Sequence, residues 1–186
     1  MSKQFLVLRY LAVLVVLACA GPALAETALP PEKNPPGDIP DSQVFLNYAG
    51  PGFSIQVPEG WARADAPNGA TFSDKYNTLE VTVAPAAAAP SVEEVKSTEA
   101  KALAPNGRAV DVTSIKEVKL SGGRAIRIDY SSNSAPNAVT NKAIRLEDVR
   151  FLLFGGGKLV TLDMSAPKGA DNVDQWNLMA NSIRLK

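Results

Sequence analysis

The side chains in this sequence that could carry chemistry are carboxylates, hydroxyls and one glycine-rich lysine turn, because its 186 residues include no histidine and a single cysteine, Cys19. Histidine is the commonest general base and metal ligand, so its absence removes the Ser-His-Asp and Cys-His nucleophile systems and the His-containing zinc sites. One cysteine forms neither an internal disulfide nor a thiolate cluster. Glu147-Asp148, with Asp129 or Asp163, offers the two carboxylates that a glycosidase needs. The same acids alternate with Arg127, Arg145 and Arg150, and the simpler reading is a set of cross-strand ion partners on a solvated sheet face. Asp171, Asn172 and Asp174 offer oxygens to a hard cation such as calcium. They lack the glycine and distal glutamate of the helix-loop-helix calcium motif, so they read instead as a helix start. Gly155-Gly156-Gly157-Lys158 resembles a phosphate loop in part, but that loop needs glycine at 152 and Ser or Thr at 159, where this chain has Leu152 and Leu159. No G-x-S-x-G elbow is present. No catalytic residue, cofactor site or metal ligand is therefore assigned, and the expectation is a non-enzymatic protein without a cofactor.

Positioning these residues falls to short alternating runs. Phe53 to Val57 alternates apolar and polar before the turn Pro58-Glu59-Gly60-Trp61. Leu79 to Val83 alternates again and pairs with Ala70 to Tyr76 across a turn at Asn77. Ser91-Val92-Glu93-Glu94 is a capping box that opens a helix to about Ala104, closed by Pro105-Asn106-Gly107. Val110 to Leu120 and Arg124 to Tyr130 flank Gly122-Gly123, a hairpin signal. Ile126, Ile128 and Tyr130 then lie on one face, with Arg127 and Asp129 on the other. Lys142 to Phe154 and Lys158 to Ala166 form a further hairpin around the triple glycine. A last helix starts near Asp171 and presents Val173, Trp176, Ala180 and Ile183 as one buried stripe. The sum is α+β, a largely antiparallel sheet of about seven strands with two helices packed on it.

The N-terminus is an address. Lys3 and Arg9 precede an apolar run from Leu11 to Ala20, then Gly21-Pro22 and the small-residue site Ala23-Leu24-Ala25, which predicts signal cleavage between Ala25 and Glu26. An alternative reads Val16-Leu17-Ala18-Cys19 as a lipobox with Cys19 acylated; only then is a membrane a partner. Losing Lys3 and Arg9 turns 19 basic against 19 acidic residues into 17 against 19, a net of −2. Balanced charge argues against nucleic acid as a partner. Residues 26–42, with Pro30, Pro31, Pro35, Pro36 and Pro40, read as a proline-rich, solvated linker kept out of the core. Residues 43–186 are the folded domain.

Tyr48 and the run Gly52-Phe53-Ser54-Ile55-Gln56-Val57-Pro58-Glu59-Gly60-Trp61 resemble the opening strand of the PsbP-like family. The following order of hairpin, Ser91-started helix, long antiparallel hairpins and terminal helix is similar too. The resemblance spans 43–186 and implies an α/β/α sandwich and a protein-binding rather than catalytic role, with no active-site constellation to carry over. It is consistent with an exported bacterial domain, periplasmic or extracellular, or a lipoprotein. The expected function is to bind a protein partner or support envelope assembly, the alternative being a small-ligand-binding or weakly hydrolytic enzyme on the same fold. Trp61, Arg127 and Asp129 are the candidate partner surface, although Trp61 also reads as a core plug. The loops Ala62 to Asn68 and Ser131 to Asn141 are the segments freest to recognise something.

Overall fold

The computed structural model describes residues 26–103 and 108–186. The expected signal segment with Cys19 and Ala25, and the helix stop expected at Pro105-Asn106-Gly107, lie outside them. Ten strands and three helices follow in order: β1 (Phe45–Gly50), β2 (Phe53–Pro58), β3 (Ala62–Ala66), β4 (Gly69–Asp74), β5 (Asn77–Pro85), α1 (Val92–Ser97), α2 (Glu99–Leu103), β6 (Asp111–Leu120), β7 (Gly123–Asn133), β8 (Arg145–Gly155), β9 (Lys158–Pro167), α3 (Val173–Ser182) and β10 (Arg184–Leu185). The large sheet is antiparallel in the order β3-β4-β5-β9-β8-β7-β6, and a small sheet is ordered β1-β2-β10. The α+β class and the long hairpins are as the sequence predicts. Gly156 and Gly157, at φ 58° and 73°, supply the two left-handed positions of the β8–β9 turn, where a side chain on either residue would be strained.

The three strands beyond the expected count lack the pattern that marks a strand. β1 has no clean alternation, all five residues of β3 are exposed, and β10 is two residues long. The single helix expected from Ser91 is broken at Thr98. Ser91 Oγ accepts the Glu94 N–H at 3.1 Å as the capping box requires. At the other end, the Glu94 carbonyl accepts from the Thr98 N–H and from the hydroxyls of Ser97 and Thr98 at 2.8–2.9 Å. Hydroxyls back-bonded to one carbonyl bend a helix, which separates α1 from α2.

The large sheet divides two apolar layers. On one face, α3 and the small sheet bury Phe53, Ile55, Phe72, Leu162, Trp176 and Met179 in the main core. On the other, α1 and α2 cover a smaller cluster of Val95, Leu103, Ile126, Ile128 and Leu152. The stripe of α3 runs through Trp176, Met179, Ala180 and Ile183, while Val173, expected to join it, is 54% exposed. No helix among the described residues is long and apolar enough to cross a membrane.

Residues 26–42, expected as a linker kept out of the core, lie as a strap along the domain, with Ile39 only 4% exposed within the main core. Two sets of buried asparagines hold the strap. Asn133 accepts the Leu29 N–H at 3.0 Å and donates to the Thr27 carbonyl at 2.9 Å and the Glu26 carboxylate at 3.0 Å. Asn172 accepts the Ile39 N–H at 2.7 Å and donates to the Gly37 carbonyl at 3.0 Å, which also accepts from Asn77 at 2.8 Å. Prolines satisfy this arrangement because they remove backbone donors that the strap has no ladder to receive. Among the described residues, the strap thus packs with residues 43–186 through Leu29, Gly37 and Ile39.

Candidate functional site

On the face that carries α1 and α2, the helices cover only part of the sheet. Beside them lies a half-open cleft of about 610 Å³, within the range of roughly 300–1,000 Å³ common for ligand sites. Its floor is two neighbouring levels of the sheet. On the first, Thr78, Ser165, Asp148 and Tyr130 stand side by side on β5, β9, β8 and β7. On the second, Glu80, Asp163 and Arg150 do so on β5, β9 and β8. One wall comes from Leu103, Arg108 and Val110, another from the loop between β7 and β8, and the strap contributes Glu32 and Pro36 to the rim.

The floor chemistry follows from its hydrogen bonds. Arg150 holds Asp163 in a two-point pair at 2.7 and 3.0 Å and reaches Glu99 of α2 at 2.9 Å. Burial works against the Arg150 charge, but the Asp163 carboxylate more than offsets it, and the guanidinium is held above its ordinary value. Asp148 is 5% exposed and accepts from Ser132 at 2.8 Å and Ser165 at 2.6 Å. Burial pushes its carboxyl up despite those two donors and the nearby Arg108 charge. Tyr130 stands directly opposite Asp148, and burial with the Asp148 and Asp163 carboxylates pushes its phenol up. It is therefore a neutral hydroxyl facing the cleft. At the rim, the Glu32 carboxylate 2.8 Å away raises the Lys142 ammonium.

The acids singled out in the sequence separate by strand alternation. Asp148 and Asp163 share the cleft floor, whereas Glu147 and Asp129 project from the opposite face. Asp163 is engaged by Arg150, and both Asp148 oxygens accept from serines. Arg145 is no ion partner: it is 4% exposed and donates to the Ala109 carbonyl, Asn133 and Ser131 at 2.7–3.1 Å. Arg127 bonds Asp129 along its own strand at 2.6 Å and lies 5.4 Å over the Phe151 ring. Trp61 is half-buried against the main core, next to β3, at the other end of the strand order from β7. Trp61, Arg127 and Asp129 are therefore not brought into one patch.

Asn172 stands at the N-cap of α3 but its side chain makes no capping bond and is committed to the strap, which takes its oxygen from the calcium reading. Among the described residues, no group of three or more Asp, Glu, Cys or His side chains is placed to hold a metal ion. Lys158 donates to the Lys186 carbonyl at 2.9 Å, and the triple glycine is a hairpin turn. Of the loops named in the sequence, Ala62–Ala66 is strand β3, and Ser131, Ser132 and Asn133 are the buried end of β7. The rest of that second loop, including Asn137 and Thr140, does wall the cleft. The sequence missed Arg108, Glu80 and Lys75: the only signal of Glu80 is its register opposite Asp163, and Arg108 and Lys75 lie between strands, where no register marks them.

No protein-family model and no curated protein matches the chain. Solved structures do. Cyanobacterial PsbP (CyanoP) from Synechocystis sp. PCC 6803 superposes with a TM-score of 0.55 at 15% identity, covering 81% of this chain and 98% of that one. A protein from Bacteroides thetaiotaomicron gives a TM-score of 0.51 at 12% identity over 75% of this chain and 48% of that one. LpqN, involved in cell envelope biogenesis of Mycobacterium tuberculosis, gives 0.47 at 13% identity over 77% and 90%. The fold is PsbP-like, and at these identities the likeness is one of fold alone.

Proposed function

We propose that this PsbP-like domain is an exported, non-catalytic binding protein that holds a partner in the cleft between α2, the strap and the β7–β8 loop. One observation carries the reading: side chains of both charges, fixed on rigid strands, converge on a concavity of about 610 Å³. Rigid strands pre-organise such groups, so few rotamers have to be ordered when a ligand arrives. The hydrogen bonds to Asp148 and Asp163 support a binding role, because they hold both carboxylates in place as fixed acceptors. The signal-like N-terminus supports export.

The test uses Ala135, an exposed loop residue lining the cleft. Components of an envelope fraction retained by the purified protein should be lost with Ala135→Trp, which fills the cleft, and kept with a tryptophan at the distant exposed Leu178. Equal retention by both variants removes the cleft from the reading. Turnover of ester or glycoside substrates that disappears in Asp148→Asn would replace binding by catalysis.

A further inference from the structure

The cleft charges fall into two sets. Lys142 is paired with Glu32, and Arg150 with Asp163 and Glu99. Among the exposed charges of the cleft, Arg108, Glu80 and Lys75, the last in the turn between β4 and β5, have no ion-pair partner among the described residues. For Arg108 the residues outside that set change nothing, since 1–25 and 104–107 contain no Asp or Glu. The Arg108 carbonyl accepts the N–H of Asn133, the last residue of β7, at 2.7 Å, which places Arg108 at the β7 end of the cleft that it lines together with Tyr130. Glu80 lies at the β5 end, directly opposite Asp163. Like charges opposed across a sheet are destabilising, and Arg150 reaches only the Asp163 side of this pair. The cleft thus has a donor pair without an ion partner at one end, Arg108 on its wall and Tyr130 on its floor, and at the other end the Glu80 carboxylate.

The sheet fixes the separation of the two ends. From β5 to β7 there are three inter-strand steps through β9 and β8. At about 4.8 Å each, with one level of offset along the strands, the two Cα positions are about 16 Å apart. Side chains reaching inward shorten this to roughly 10–14 Å, the end-to-end length of about four extended residues at about 3.4 Å each. A cleft of about 610 Å³ is compatible with a segment of that length.

We infer that the cleft takes an extended peptide segment of about four residues, with its anionic end at Arg108 and the Tyr130 hydroxyl and its cationic end at Glu80. This rests on the cleft being the binding site and names what it binds. A dipolar segment complements both ends at once. A single amino acid cannot, because its two charges are too close together, and a neutral ligand leaves both ends without a counter-charge.

The probes are tetra-alanine, N-acetyl-tetra-alanine, tetra-alanine amide and dialanine, titrated calorimetrically and by amide NMR shifts into the purified protein. Tetra-alanine should bind tightest, and blocking either end should weaken it by up to about fivefold, the scale of an exposed ion contact. Glu80→Gln should erase the effect of acetylation only, and Arg108→Gln that of amidation only. Both residues are exposed and outside the paired sets, so the fold tolerates either change. Equal affinity for all three tetrapeptides, dialanine matching tetra-alanine, blocking effects unchanged in both variants, or no peptide binding would each overturn the peptide assignment. The binding reading falls separately, through Ala135→Trp.

Discussion

Replacing Ile39 with alanine asks whether the strap belongs to the folded unit. A solvated linker predicts no effect from this change. The structure predicts a large one, because Ile39 is 4% exposed, sits in the main core and is anchored through its N–H to Asn172 at 2.7 Å. Isoleucine to alanine removes three carbons, about 2.4 kcal/mol at roughly 0.8 kcal/mol per buried methylene. An unrelaxed cavity would add to this, but a strap without ladder bonds can settle inward, so the expected loss is about 2.5 kcal/mol, the lower part of the range for buried Ile→Ala. Urea unfolding followed by tryptophan fluorescence reads it directly. With a slope of about 2 kcal/mol/M the midpoint should fall by about 1.2 M, and the melting temperature by roughly 5–10 °C. Val139, 92% exposed in the β7–β8 loop, is the control, and its alanine variant should stay within about 0.5 kcal/mol of the parent. A loss below about 0.5 kcal/mol for Ile39→Ala would refute the strap as part of the core.

Asn172→Ala should cost about 1–3 kcal/mol by leaving the Ile39 N–H and Gly37 carbonyl short of a partner. Combined with Ile39→Ala it should be clearly less than additive in a double-mutant cycle. Arg150→Ala should cost roughly 1.5–3 kcal/mol, since it leaves Asp163 unneutralised opposite Glu80. Glu99→Gln should cost under about 1 kcal/mol because that carboxylate is more exposed, and chemical unfolding separates the two. Asp148 gives a pH signature. Its folded pKa is raised by burial, so the folded state holds the proton more tightly; its contribution is complete below the ordinary 3.8 and declines as pH rises through the folded value. Asp148→Asn should therefore gain stability relative to the parent between about pH 4 and pH 7, checked by urea midpoints at both. A pH-independent difference would contradict the raised pKa.

The hairpins were legible because their signals are local. Gly122-Gly123 and Gly156-Gly157 advertise turns, and the alternation of Ile126, Ile128 and Tyr130 against Arg127 and Asp129 appears as the two faces of β7. The strap was not legible. Its one deep anchor, Ile39, is a lone apolar residue among prolines, and what receives it, Asn172, is more than a hundred residues away and looks like a helix cap. The cleft was legible as a list of acids and illegible as a site. Which carboxylates share a face depends on alternation within β8, which separates Glu147 from Asp148. Which of them meet depends on the register of β5, β9 and β8, set by the long-range pairing of strands.

The strap also orders events in time. Its contacts close loops of more than a hundred residues, from Glu26 and Thr27 to Asn133 and from Ile39 to Asn172. Such long-range contacts are slow to form, and a chain made from its N-terminus has no Asn172 until nearly the whole domain has emerged. The strap is consequently made early and fixed late, because its Ile39 anchor waits for Asn172.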